Sequence, residues 1–182
     1  AYISEGIVTG GANAESFTIS IGNNIFADNG IVGTTYYNNL GLDGDVDLTV
    51  QRIRRVSVTG NQFWGAGRAG LRMDEASGVA VVGNHFERQS EDAIVMVRCD
   101  GIVISGNIIK DNGRNSQGSA GDDGIRFGDS NSTDILIDDN MFIDNTNAGA
   151  FAINAAGFTA TRLVIGSGNV FQNNTNNVTA DF

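Results

Sequence analysis

Two acidic pairs, Glu91-Asp92 and Asp122-Asp123, precede the matching phrases Ala93-Ile94 and Gly124-Ile125. Glycoside hydrolysis needs two carboxyl groups flanking the scissile bond, one protonated as general acid and one ionised as base or nucleophile. If the two phrases lie on neighbouring turns of one repeat, the carboxyls stand about 5–10 Å apart, which overlaps the inverting and the retaining separations. Crowding of like charges would raise one pKa and so divide the roles. Asp92 and Asp123 are the first candidates for catalysis, with Glu91 and Asp122 in support. An aspartate just before Gly-Ile also has a plainer reading, as a turn residue bonding its own backbone.

Arg68, Arg72, Arg98 and Arg126 surround these acids. They could hold an anionic sugar, neutralise a uronate while a base takes the neighbouring proton, or pair with the carboxylates in a solvated ladder. Tyr36 and Tyr37 in an insertion, and Trp64 beside the same strands, offer apolar faces for stacking on sugar rings or for pinning a loop. Asp43, Asp45 and Asp47 alternate, so an extended segment would present all three on one side as oxygen donors for calcium. No cofactor is required, and calcium is the one ion this reading admits. His85 is expected at the surface away from these groups. Cys99, the single cysteine, is expected as a small buried residue. Asn131-Ser132-Thr133 and Asn177-Val178-Thr179 fit the glycosylation sequon, a match that an Asn-rich chain produces by chance.

A repeat must position these residues. Gly60-Asn61-Gln62-Phe63 returns as Gly83-Asn84-His85-Phe86, Gly106-Asn107-Ile108-Ile109, Asp139-Asn140-Met141-Phe142 and Gly168-Asn169-Val170-Phe171, with Asn23-Asn24-Ile25-Phe26 as a looser copy. An alternating strand precedes each asparagine: Ile19 and Ile21, Val56 and Val58, Val79 and Val81, Ile102 and Ile104, Ile135 and Ile137, Leu163 and Ile165. A period of two puts these side chains on one face. A second strand follows, Leu71 with Met73 and Ile94 with Met96. Its expected equivalents are Ile125 with Phe127, Phe151 with Ile153, Leu48 with Val50, and Ile7. The Phe or Ile after each asparagine supplies a third. One coil cannot bury its own apolar residues, but coils stacked at about 4.8 Å bury them continuously. The asparagines are expected in left-handed bends, their amides bonded along the stack.

Two insertions, roughly residues 27–45 and 110–121, leave on the same side and enclose two short coils, as walls over a floor made by the strands of Leu71 and Ile94. On that floor Arg72 and Arg126 flank Val95. The strand ends form a mixed column of Arg52, Glu75, Arg98 and Asp129.

Composition narrows the classes. The 182 residues suit one domain, spanning 1–182. Twenty-one acidic against eleven basic residues give a net charge of −10, which repels phosphate backbones, so no nucleic-acid partner is expected. No apolar run is long enough for a membrane span. No leader pattern opens the sequence, so Ala1 reads as a cut end. Twenty-five glycines without a proline suit repeated tight turns.

The recurring Gly-Ile-x-x and Val-x-Val-x-Gly-Asn-x-Phe phrases cover nearly the whole chain and resemble the pectin lyase-like superfamily of right-handed β-helices. The resemblance implies an all-β fold, a single-stranded right-handed parallel β-helix of about six to seven coils. Families with this fold include polygalacturonase-type hydrolases, pectate and alginate lyases, uronan epimerases and phage tailspikes, and fold alone does not choose among them. Ser90-Glu91-Asp92-Ala93-Ile94 and Gly121-Asp122-Asp123-Gly124-Ile125 resemble the Asp-Asp segment of polygalacturonase-type hydrolases, but that family's Asn-Thr-Asp, Gly-His-Gly and Arg-Ile-Lys segments are absent. The amphipathic capping helix with which such proteins usually begin is also absent, so the chain is expected to be a module of a longer protein.

The expected activity is hydrolysis of an extracellular polysaccharide, acidic or neutral, by paired carboxylates, on an extracellular or virion surface. The alternatives are a lyase or epimerase using arginine and calcium, and a non-catalytic glycan-binding or structural module of a tailspike or adhesin. A homotrimer or a neighbouring domain would cover the exposed solenoid end.

Overall fold

Alternation such as Val56-Ser57-Val58 makes one side of each strand apolar, and a solenoid buries that side by closing three such strands around a common axis. A computed structural model describes residues 19–27, 31–32, 35–36, 40–43, 54–114, 122–128, 131–146, 150–156 and 162–180. They form six coils. The first holds β1 (Ile19–Gly22), β2 (Ile25–Ala27), a short hairpin of β3 (Ile31–Val32) and β4 (Thr35–Tyr36), and β5 (Leu40–Asp43). The second holds β6 (Arg54–Thr59), β7 (Gln62–Trp64) and β8 (Leu71–Asp74), and the third β9 (Ser77–Val82), β10 (His85–Glu87) and β11 (Ile94–Val97). The fourth holds β12 (Asp100–Ser105), β13 (Ile108–Lys110) and β14 (Ile125–Phe127), and the fifth β15 (Thr133–Asp138), β16 (Met141–Ile143) and β17 (Phe151–Ala155). The last holds β18 (Leu163–Ile165), β19 (Val170–Gln172) and β20 (Asn176–Ala180).

Three six-stranded parallel sheets result. The first face runs β1-β6-β9-β12-β15-β18, the second β2-β7-β10-β13-β16-β19 and the third β5-β8-β11-β14-β17-β20. Parallel crossovers wind right-handed. The first face has the register read from the alternation, with Val56 beside Val79 and Ile102 beside Ile135.

The third face differs at both ends. Leu40 and Leu42 of β5, not Leu48 and Val50, pair with Leu71 and Met73. Ile153, not Phe151, pairs with Ile125, so Arg126 meets Asn154 instead of Ala152. In both places an insertion offers a second segment of the same two-residue period, and the period alone has no frame. The first insertion is thus split, part before β5 and part after it. Residues 44–53, including Asp45, Asp47, Leu48, Val50 and Arg52, lie outside the described residues, as do Ile7, Tyr37, Asp129 and 115–121.

Polar ladders stitch the corners. Between the first two faces, Oδ1 of each asparagine accepts the backbone N–H of the asparagine one coil before: Asn24 N–H to Asn61, Asn61 to Asn84, Asn84 to Asn107 (each 2.9 Å), then Asn107 to Asn140 and Asn140 to Asn169 (each 3.0 Å). The left-handed residue is not the ladder asparagine but the one before it: Asn23, Gly60, Gly83, Gly106 and Asp139 have φ of 55–65°. Placing the bend there leaves the asparagine free to turn its amide inward, where Asn61, Asn84, Asn107 and Asn140 are buried. A second ladder after the second face went unread in the sequence: Gln89 N–H donates to Asn112 Oδ1 (3.2 Å), Asn112 to Asn145 (3.2 Å) and Asn145 to Asn174 (3.1 Å).

Inside, Phe26, Phe63 and Phe86 stack with ring centroids 4.9 and 4.5 Å apart, and Phe142 stacks on Phe171 at 5.2 Å. Cys99 is buried, as expected, with its N–H donating to Ser132 Oγ. Each inward Ile or Leu of strands β8, β11, β14 and β17 follows a small residue: Gly70, Ala93, Gly124 or Ala152. A Cβ on Gly124 would meet the Ala152 carbonyl oxygen and stand 3.1 Å from Phe142 Cδ1. Gly124→Ala is therefore expected to destabilise by about 1–3 kcal/mol, the range for overpacking a filled core, as a lower urea midpoint with unchanged m-value would show.

Candidate functional site

The third face carries the acidic pairs, and strand parity separates their members. Asp92 and Asp123 share the parity of Ile94 and Ile125, so they turn inward, 0% and 3% exposed. Glu91 and Asp122 turn outward and are partly exposed. Asp92 Oδ1 accepts the backbone N–H of Asp123 at 2.9 Å, and Oδ2 accepts Nε–H of Arg126 at 2.8 Å. One coil on, Asp123 Oδ1 accepts the N–H of Phe151 at 2.7 Å and Oδ2 accepts Nδ2–H of Asn154 at 2.8 Å. The pair makes a carboxylate ladder of the opposite sense to the asparagine one, each aspartate accepting from the coil after it where each asparagine accepts from the coil before. Every oxygen of both carries a donor.

Burial pushes the Asp92 carboxyl up to about 7, against the opposing pull of Arg126 and of the Asp123 N–H. Burial also raises Asp123, opposed by Phe151 N–H, Asn154 and Arg126. Asp122 is raised by burial, then by the charges of Asp123 and Glu91. Its Oδ1 is covered and has no hydrogen-bond partner among the described residues, while the side chain as a whole is partly exposed. The solvent-facing carboxyl pair on this face is thus Glu91 with Asp122.

The arginines lie among acids. Arg126 and Arg72 flank Val95 in register, as read from the sequence, and Val95 is itself buried. Arg72 Nη2 bonds Asp74 Oδ2 at 3.0 Å, and Arg98 Nη2 takes the other oxygen, Oδ1, at 2.8 Å. Arg98 Nε also lies 3.3 Å from Glu75, and Arg68 Nε lies 3.8 Å from Glu91. These are partly exposed pairs, each worth little alone, but together they fix a row of donors and acceptors on the outer surface. Asp74 and Asn154 were missed in the sequence. Asp74 carried a signal, since it stands two residues from Arg72 on the same side of β8.

Other candidates are not gathered here. Trp64 lies on β7 of the second face, 38% exposed, with the Arg88 guanidinium 5.1 Å from its ring centroid. Tyr36 ends β4, and Asp43 ends β5 beside Asp74. Among the described residues no three of His, Cys, Asp and Glu are grouped to hold a metal. No helix there is long and apolar enough to cross a membrane. His85 sits in β10 on the second face, 3.3 Å from Glu87 Oε2, away from the acidic pairs as expected.

Residues 5–121 match the family described as "Right handed beta helix region". The chain belongs to this right handed β-helix family. No curated protein matches the sequence. Among solved structures, the β-helix is similar to the Dettilon tailspike protein (gp208), with a TM-score of 0.59, 15% identity, and coverage of 91% of this chain and 35% of the tailspike. It is also similar to the A-module of the Azotobacter vinelandii mannuronan C-5 epimerase AlgE6, with a TM-score of 0.46, 14% identity, and coverage of 90% and 47%. The β-helix thus spans under half the length of either structure it matches, and at these identities the likeness is one of fold.

Proposed function

We propose that the protein binds an extracellular polysaccharide along its third face, and that Asp92 and Asp123 brace that face rather than attack the sugar. The observation that carries this reading is the full engagement of both buried carboxyls by N–H donors from the next coil. A buried carboxylate ladder holds the coils in register, as the asparagines do. Outside it stand Arg68, Arg72 and Asp74 on the second coil, Glu91 and Arg98 on the third and Asp122 on the fourth. A linear ligand suits a surface that runs along the stack of coils, and paired guanidinium and carboxylate groups suit vicinal hydroxyls and uronate carboxylates. The tailspike of the same fold supports this setting, and an extracellular or virion-surface location goes with it.

A second reading rests on Asp122. Raised by burial and two neighbouring carboxylates, it has the character of a general acid, with Glu91 as the second carboxyl of paired-carboxylate hydrolysis.

Incubation with acidic and neutral polysaccharides, with and without calcium, separates the readings. Retention on one glycan without new reducing ends is expected, with at least about ten-fold loss in Arg72→Ala if its contact is worth about 1.4 kcal/mol. New reducing ends abolished by Asp122→Asn would establish the hydrolase. Calcium-dependent ultraviolet absorbance would replace both with a lyase.

A further inference from the structure

Guanidinium and carboxylate groups can serve hydroxyls and uronates alike, but on the third face the guanidiniums are held by acids of the protein itself. Arg72 Nη2 donates to Asp74 Oδ2 at 3.0 Å and Arg98 Nη2 to Oδ1 at 2.8 Å, so one carboxylate is clamped from two coils. Arg98 Nε lies 3.3 Å from Glu75, Arg68 Nε lies 3.8 Å from Glu91, and Arg126 Nε donates to the buried Asp92 at 2.8 Å. Among the described residues of this face, these four arginines meet four partly exposed carboxyls, Asp74, Glu75, Glu91 and Asp122, over two buried ones, Asp92 and Asp123. The outward column of Arg72, Val95 and Arg126 runs on in register through Asn154 and Thr179, an amide and a hydroxyl, without another cation. Acids therefore outnumber bases along the described face, in a chain whose net charge is −10.

We propose that the third face selects neutral, hydroxyl-rich glycan chains and rejects uronans. The inference rests on the polysaccharide reading of this face and names its substrate class. A uronate carboxylate reaches a guanidinium here by displacing a protein carboxylate from a charge-assisted pair, or by lying beside that carboxylate as a like charge, and either arrangement costs free energy. A hydroxyl breaks no pair. An ionised carboxylate has about four lone-pair sites and a guanidinium five N–H donors, so each pair keeps capacity after its internal bond is made. One sugar hydroxyl accepts from the guanidinium and donates to the carboxylate at once. At longer range the acidic excess repels a polyanion and leaves a neutral chain unaffected.

The same sugar chain presented with and without its charge makes the test direct. Retention is measured at low salt, free of divalent cations, on polygalacturonate, alginate and hyaluronan, on the carboxyl-reduced form of each, and on neutral glucans and mannans. At least one neutral chain is expected to be retained about ten-fold more tightly than any uronan, with little dependence on salt, while uronan binding rises as salt screens the repulsion. Glu91→Gln removes an acid from a solvent-exposed pair, a kind whose loss costs little stability. It also releases Arg68, and is expected to raise the ratio of uronan to neutral binding about five-fold. A uronan retained at low salt as tightly as its reduced form would overturn the selectivity, and weakening of that retention by Arg72→Ala would still keep the third face as the binding surface. A ratio unmoved by Glu91→Gln would overturn it too, because the acids would then not set the preference. No retention on any chain, or retention indifferent to Arg72→Ala, would sink the third-face reading and the selectivity with it.

Discussion

Asn107→Ala is expected to destabilise the protein by about 3–5 kcal/mol, since each buried polar group it orphans costs about 1–3 kcal/mol. Asn107 Oδ1 accepts two bonds from the preceding coil, the backbone N–H and the Nδ2–H of Asn84, at 2.9 and 3.0 Å. Its own Nδ2 donates to the carbonyl of Val81 at 2.9 Å and to Asn140 Oδ1 at 2.9 Å. Truncation leaves the Asn84 N–H and the Val81 carbonyl in a corner closed to water. The loss is a large fraction of the total stability of an ordinary domain. Because each coil touches only its neighbours, it should be felt locally as well. Native-state hydrogen exchange should show protection falling first in β9, β12 and β15, which run into or beside this corner. Asn131→Ala, at an exposed position, serves as control and should lie within about 0.5 kcal/mol of the parent. Equal midpoints for the two variants in urea would mean that the ladder is ornament and the apolar stack alone holds the coils.

Much of this architecture is legible in the residues, and the failures have physical causes. Pairs such as Val79 and Val81 gave the first face its register because a turn asparagine follows each strand at nearly constant distance and acts as a frame marker. No such marker follows the third face, so Leu48-Thr49-Val50 read as well as Leu40-Gly41-Leu42. At Phe151 the small residue before the inward position is no guide, since Ala150 precedes Phe151 just as Ala152 precedes Ile153. The second ladder was legible too, since Asn112, Asn145 and Asn174 trail Asn107, Asn140 and Asn169 at a fixed offset.

The site shows the other limit. Chemistry by residue type brought Glu91, Asp92, Asp122 and Asp123 together, and they are together, but parity already separates an inward pair from an outward one. What no spacing reveals is that Asp92 finds Arg126 and Asp123 finds Asn154 across coils, because those partners depend on the register of strands joined by insertions. Trp64 was likewise placed beside the third-face strands by its nearness in sequence, while the corner after β7 turns it onto another sheet.

The second large effect concerns pH, and its sign is the reverse of ordinary acid denaturation. The Asp92 carboxyl has its folded pKa raised to about 7 from 3.8. Between those values the unfolded chain has released the proton that the folded protein still holds, so the unfolded state binds fewer protons and stability falls as pH rises. The span corresponds to about 4 kcal/mol, fully present below pH 4 and lost by the time pH passes 7. Asp123 and Asp122, also raised, act in the same direction. Unfolding free energy by urea is therefore expected to decline from pH 5 to pH 8, and Asp92→Asn should flatten that decline.

Arg126→Ala sharpens the case. Removing the guanidinium leaves a buried charge without its partner at pH 8, a loss of about 3–5 kcal/mol, while at pH 5 Asp92 is protonated in the folded state and the variant should lose much less. The decisive comparison is the Arg126→Ala penalty at the two pH values. A penalty that grows with pH shows an ionised Asp92 dependent on Arg126. A penalty equal at both would mean that Asp92 keeps one charge state throughout, and that Arg126 acts through packing of its stem beside Val95.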